Sequence, residues 1–291
     1  MTPLFKSQFK LLTNTFKSFI ANRPVAMAGT TAYFAIFSIA PILIIIISIF
    51  GILAGDSAIR LKLFAELSLL IGQSSAQILE KATDSYQIVE KSKIATIIGI
   101  SFFLLSATTL FKVMQDTIND IWRVKIESDL KSSIFMFVRD RILSIGVIMG
   151  LGFILLVSLV IDGLIAFLKD LITTYFSESF LFIAQMTNVF VSLAIVAVLF
   201  TFLYKYWPDV KVKWSACWYG GIFTAVLFTI GKVVIGIVVG KSDLGAVYGA
   251  ASSIIAILLW VYYASLIFYF GVELSRQFSI MNQDTEQKDS A

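Results

Sequence analysis

Long apolar runs, each closed by lysines, arginines or short polar stretches, divide this chain. The first uncharged run covers about 25–55. Further runs cover about 94–111, 142–168, 179–204, 214–240 and 244–272. Each reaches or approaches the ~20 residues a helix needs to cross a hydrocarbon core. The pattern predicts an all-α polytopic membrane protein with six transmembrane helices in a single domain over 1–276. The first run exceeds what a bilayer requires, so tilting or bending is expected. Pro41 inside it removes a backbone donor and favours a kink.

Between the runs the periodicity changes. In residues 4–20, Phe5, Phe9, Leu12, Phe16 and Phe19 recur at helical spacing, with Lys6, Lys10 and Lys17 in a separate arc. This predicts an N-terminal amphipathic helix on a surface of anionic lipid, with a soluble helix packed on the rest of the fold as the alternative. Residues 56–93 carry two shorter helical patterns, expected as short extramembrane helices. Residues 277–291 are polar and expected to form a disordered tail. Of the 23 Lys and Arg, 15 lie in the N-terminal segment, the second-to-third and fourth-to-fifth connections and the tail, against seven in the remaining connections. The positive-inside bias therefore places both termini in the cytoplasm. Trp207 and Trp214 flank the fourth-to-fifth connection, where interfacial anchoring is the ordinary role of tryptophan.

Composition narrows the function. Apolar residues make up 58% and charged ones 14% of the 291 residues, with mean hydropathy +0.89. The net charge of +4 is small and dispersed, which argues against nucleic acid as a partner. There is no histidine, so the commonest general base and metal ligand are missing, and Cys217 is the single cysteine. No catalytic residue, metal or cofactor is expected, and an enzyme is the weakest reading.

The charges within the apolar runs are the candidate sites. Lys232 lies in Phe228-Thr-Ile-Gly-Lys-Val-Val-Ile-Gly236, and a lysine at such depth costs about 3 kcal/mol unless it finds protein or water. Asp162 falls at a comparable depth, so the structural reading is an ion pair between the two or a lysine that snorkels outward. Alternatively, Lys232 contacts an anionic headgroup or carboxylate. Glu273 stands three residues before Arg276, which predicts an i, i+3 ion pair or, on a functional reading, a cytoplasmic gate. Tyr248 and Trp260 are amphipathic aromatics that suit helix packing or contact with a lipid-like substrate. Gly231, Gly236 and Gly249 belong to small-x-x-x-small spacings that let helix backbones approach, and with Pro41 they are the candidate conformational positions.

These residues resemble the YihY/BrkB family of bacterial inner-membrane proteins. The resemblance runs through Ala28-Gly-Thr-Thr-Ala-Tyr-Phe34, Ser38-Ile-Ala-Pro41, Asn119-Asp-Ile-Trp122, Arg139 with Arg141, Tyr204 to Pro208, Trp214, Gly231-Lys232, Val247-Tyr-Gly249, Trp260 and Gly271-Val-Glu273. The chain departs from the family pattern at Ile237 to Gly240, which lacks an aromatic residue. The resemblance implies six spans in a bacterial inner membrane. It implies no settled chemistry, since the family's former name, ribonuclease BN, is regarded as mistaken. The expected function is non-enzymatic movement or binding of an amphipathic, anionic or lipid-linked substrate, with membrane lipids as partners. The rival is a structural or regulatory membrane protein. Oligomeric state is not legible.

Overall fold

The computed structural model describes residues 3–86, 93–124, 178–241 and 251–289, with isolated positions between 142 and 156 and at Tyr248. Every regular element among them is helical. In chain order these are α1 (Pro3–Ala21), α2 (Pro24–Ala54), α3 (Asp56–Ile71), α4 (Gln73–Tyr86), α5 (Lys93–Trp122), α6 (Glu178–Tyr206), α7 (Trp214–Lys241) and α8 (Ser252–Asp289). Three stretches among the described residues are long and apolar enough to cross a bilayer: Pro24–Ile47, Trp214–Ile235 and Ser252–Gln283. Ser192–Tyr206 of α6 is a shorter apolar stretch. The expected third span, 142–168, lies almost wholly outside the described residues, although Val147, Met149 and Leu156 pack against the core.

Local chemistry sets the boundaries. Pro24 opens α2, where its missing N–H costs nothing. Gly55 and Gly72 bracket α3 at φ 87 and 82, a conformation that glycine adopts without penalty. Asp56 occupies the first turn of α3, where its charge suits the helix dipole. Pro41 is buried inside α2.

The last helix is the hub of the bundle, packing on α1, α2, α3, α4, α5 and α7. Its contact with α7 is close because glycines remove side chains from the interface. A Cβ on Gly271 would fall closer than 3.0 Å to Thr224 Oγ1 and the Tyr204 hydroxyl, and one on Gly220 would collide with Ser275. Tyr204 of α6 donates to the Phe268 carbonyl at 2.9 Å and lies 2.8 Å from Thr224 Oγ1, tying α6, α7 and α8 together. On the opposite flank, the hydroxyls of Thr31 and Tyr269 join α2 to α8 at 2.6 Å.

Two expectations need correction. The stretch from Gln277 onward continues α8 as helix to Asp289 rather than being disordered, and at its start Phe278 stacks on Tyr219 at 4.7 Å and Gln277 bonds Glu273. Trp207 is 3% exposed and packs on Phe111 and Phe268, so it belongs to the core and not to the interface. Trp214, by contrast, is 43% exposed.

Candidate functional site

Close packing at Gly231 brings Tyr263 of α8 against α7, with the ring where a Cβ would sit. The next residue, Lys232, is turned roughly 100° around the helix and reaches α3. Its Nζ lies 3.3 Å from Glu66 Oε2. Lys62, one turn earlier on α3, approaches the other oxygen, Oε1, also at 3.3 Å. One carboxylate thus bridges two ammonium groups. The side chains of Lys62, Glu66 and Lys232 are 18%, 34% and 41% exposed, so the cluster is open at its edge.

Among the described residues Lys232 therefore pairs with Glu66, and the expected partner, Asp162, lies outside them. Residues 56–71 read as an extramembrane helix, yet α3 packs on α2, α7 and α8 and delivers its carboxylate to a spanning helix. The visible signal in the sequence is the i, i+4 spacing of Lys62 and Glu66. Nothing in that spacing identifies which other helix the pair meets. The adjacent α4 holds α3 through Arg60, which reaches Asp84 at 2.6 Å and Glu80 at 3.3 Å. Burial works against the Arg60 charge, but hydrogen bonding and attraction from Asp84, then Glu80, outweigh it and raise its pKa.

A second polar centre surrounds Glu273, which is fully buried at 0% exposure. Its Oε1 accepts from Arg276 at 3.1 Å and from Gln277 at 2.7 Å, and its Oε2 accepts from Asn22 at 3.0 Å. The i, i+3 pair with Arg276 is as expected. Asn22, in the turn between α1 and α2, is a member that sequence reasoning misses. Its separation from Glu273 along the chain leaves no periodic trace. A third centre links α5 to the connection after α6, where Asn119 donates to Asp209 Oδ2 at 2.7 Å and accepts from the Asp209 amide at 2.9 Å.

The remaining candidates separate. Trp260 is 8% exposed and packs edge-on to Phe228 at 5.6 Å, while Tyr248 is 50% exposed. Gly236 lies in α7, and Gly249 falls outside the described residues. Among the described residues, no group of three His, Cys, Asp or Glu is placed to hold a metal ion.

Comparison with known proteins agrees with this helical, apolar architecture. The profile of the family described as Virulence factor BrkB matches residues 15–291. Among relatives, the chain is similar to a UPF0761 membrane protein of Azotobacter vinelandii, 26% identical over 89% of this chain and 60% of that one. A UPF0761 membrane protein of Pseudoalteromonas translucida is 24% identical over 89% of this chain and 83% of its own. One from Acinetobacter baylyi is 26% identical over 97% of this chain and 65% of its own. The chain thus spans less than two-thirds of the length of two of these three. No solved structure matches.

Proposed function

The chain belongs to the Virulence factor BrkB family, and from that premise we propose a non-enzymatic, polytopic protein of the bacterial inner membrane that binds or moves an amphipathic, anionic substrate. Lipid-linked molecules are the expected class. Six spans with both termini in the cytoplasm complete the reading, supported by the bias of Lys and Arg among the connections.

The observation that carries this proposal is the sharing of Glu66 by Lys62 and Lys232. A carboxylate bridging two ammonium groups holds two cationic donors together in a cluster that is open at its edge. An incoming phosphate or carboxylate then competes with Glu66 for the same donors. Gly231 supports the reading, because it fixes the α7–α8 contact beside the lysine.

The test is flux of a fluorescent anionic phospholipid in vesicles reconstituted with the full chain. Lys232→Met should lower the rate roughly tenfold, as expected for loss of one charge-assisted contact. Glu66→Gln should preserve or raise anion binding, because it removes the competitor. Flux unchanged in Lys232→Met would overturn the proposal.

A structural or regulatory role is the second reading. It is favoured by the way Asn22, Arg276 and Gln277 satisfy Glu273 internally. It requires no flux from the wild-type chain, together with loss of folding when these partners are removed.

A further inference from the structure

α1 sorts its side chains into three sectors. Leu11, Thr15 and Phe19 face the bundle at 2%, 0% and 8% exposure. There Phe19 meets Phe270 edge-on at 5.2 Å, and Gln8 accepts a hydrogen bond from Tyr219 of α7. A second sector is apolar yet uncovered: Phe9, Phe16 and Ile20 are 67%, 58% and 55% exposed. At about 100° per residue these three fall within an arc of roughly 40°. Leu12 extends that sector at 38% exposure. The third sector, adjoining it, carries the exposed Lys10 and Lys17, seven residues apart and so nearly eclipsed.

Two observations identify what covers the apolar sector. Continuity is the first. Only Asn22 and Arg23 separate α1 from the apolar helix Pro24–Ile47, so α1 ends at the edge of a membrane-crossing element. Beside it, through the Gln8–Tyr219 bond, lies the start of α7, where Trp214 and Trp218 are 43% and 41% exposed. Such half-exposed tryptophans suit the headgroup region. Charge is the second observation: α1 contains lysines and no acidic residue, so its flank is complementary to anions.

We propose that α1, with the first turns of α7, is a docking surface for an anionic phospholipid leaflet. Phe9, Phe16 and Ile20 enter the acyl boundary, and Lys10 and Lys17 lie against headgroup phosphates. The inference rests on membrane insertion alone and stands or falls independently of transport.

The experiment uses the full chain in nanodiscs. A polarity-sensitive dye is placed at Phe16→Cys and, for comparison, at Asn14→Cys on the exposed non-apolar side. Cys217 is 0% exposed and escapes labelling. With phosphatidylcholine and phosphatidylglycerol together, the dye at position 16 should shift to the blue and be quenched by spin-labelled lipid, and the dye at position 14 much less. Lys10→Gln/Lys17→Gln should weaken phosphatidylglycerol binding roughly 30-fold in native mass spectrometry, from about one ionic contact per lysine. Its binding of phosphatidylcholine should not change. Equal, water-like signals at positions 14 and 16 would overturn the proposal. So would shielding of position 16 by cross-linking to a second copy without lipid quenching, or inorganic phosphate displacing phosphatidylglycerol at equal concentration.

Discussion

Asn22 donates its side-chain amide to Glu273 across 3.0 Å, fastening the turn between α1 and α2 to the last helix, 251 residues away. The same carboxylate takes hydrogen bonds from Arg276 and Gln277. A fully buried carboxylate with three donors is stable only as a set, since each donor removed leaves charge less compensated. Glu273→Gln should therefore cost about 1–3 kcal/mol. That corresponds to a fall of roughly 3–10 °C in the melting temperature of the detergent-purified protein. Asn22→Ala should cost less. The double variant should fall short of the sum of the two, because both remove one interaction. Strict additivity would show that the two residues do not share an energetic contact.

The glycines divide by what stands in front of them. Gly271 faces Thr224 and Tyr204, and a methyl group there must displace side chains that are themselves hydrogen-bonded. Gly271→Ala is expected to destabilise by about 1–3 kcal/mol through overpacking. Gly29 on α2 has open space where its Cβ would lie. Gly29→Ala should be neutral or stabilising by about 0.5–1 kcal/mol, because alanine loses less backbone entropy in a helix. Opposite signs in one thermal-unfolding series would confirm the distinction.

How far the chain can be read from its sequence depends on whether a feature is local. The helices α2, α7 and α8 announce themselves by uninterrupted apolarity, and Glu273 with Arg276 by helical spacing. In α1 the same periodicity misleads in part. It merges Phe19, which packs on Phe270, with Phe9 and Phe16, which do not pack inward, because a one-dimensional pattern cannot distinguish two apolar faces. Glu66 is hidden for a different reason. Its role depends on the glycine turns at Gly55 and Gly72 folding α3 back against α7, a tertiary event without a sequence period. Composition alone makes 277–291 look disordered, whereas Phe278 and Gln277 find partners on α7 and α8.

At the lysine pair, the cost of substitution should be asymmetric. Lys232→Met leaves Glu66 with Lys62, so its loss of stability should stay below about 1 kcal/mol. Glu66→Gln removes the anion that both ammonium groups contact and should cost more. Adding Lys232→Met to Glu66→Gln should recover part of that cost, with a coupling energy of about 0.5–1 kcal/mol. A double-mutant cycle on unfolding midpoints measures it. Equal single costs with zero coupling would mean that the bridge carries no energy.

The reciprocal contact of Asn119 with Asp209 should control access to the connection between α6 and α7. Asn119 is 2% exposed and holds both the backbone amide and the carboxylate of Asp209. Nearby, Lys205 donates to the Val212 carbonyl, and Val212 is itself buried, while Lys211 is exposed. Trypsin therefore meets an accessible lysine on a backbone that must open before it fits the protease. Asn119→Ala removes both bonds to Asp209 and should lower the opening free energy by about 1.4 kcal/mol. Cleavage after Lys211 should then rise roughly tenfold, since it follows the population of the open loop. Performed on sealed membranes, the same digestion also reports sidedness. If the basic connections face the cytoplasm, inverted vesicles are cut and right-side-out spheroplasts are spared. Cleavage only from the outside would reverse the orientation, whereas a rate unaffected by Asn119→Ala would remove this pair as the loop's restraint.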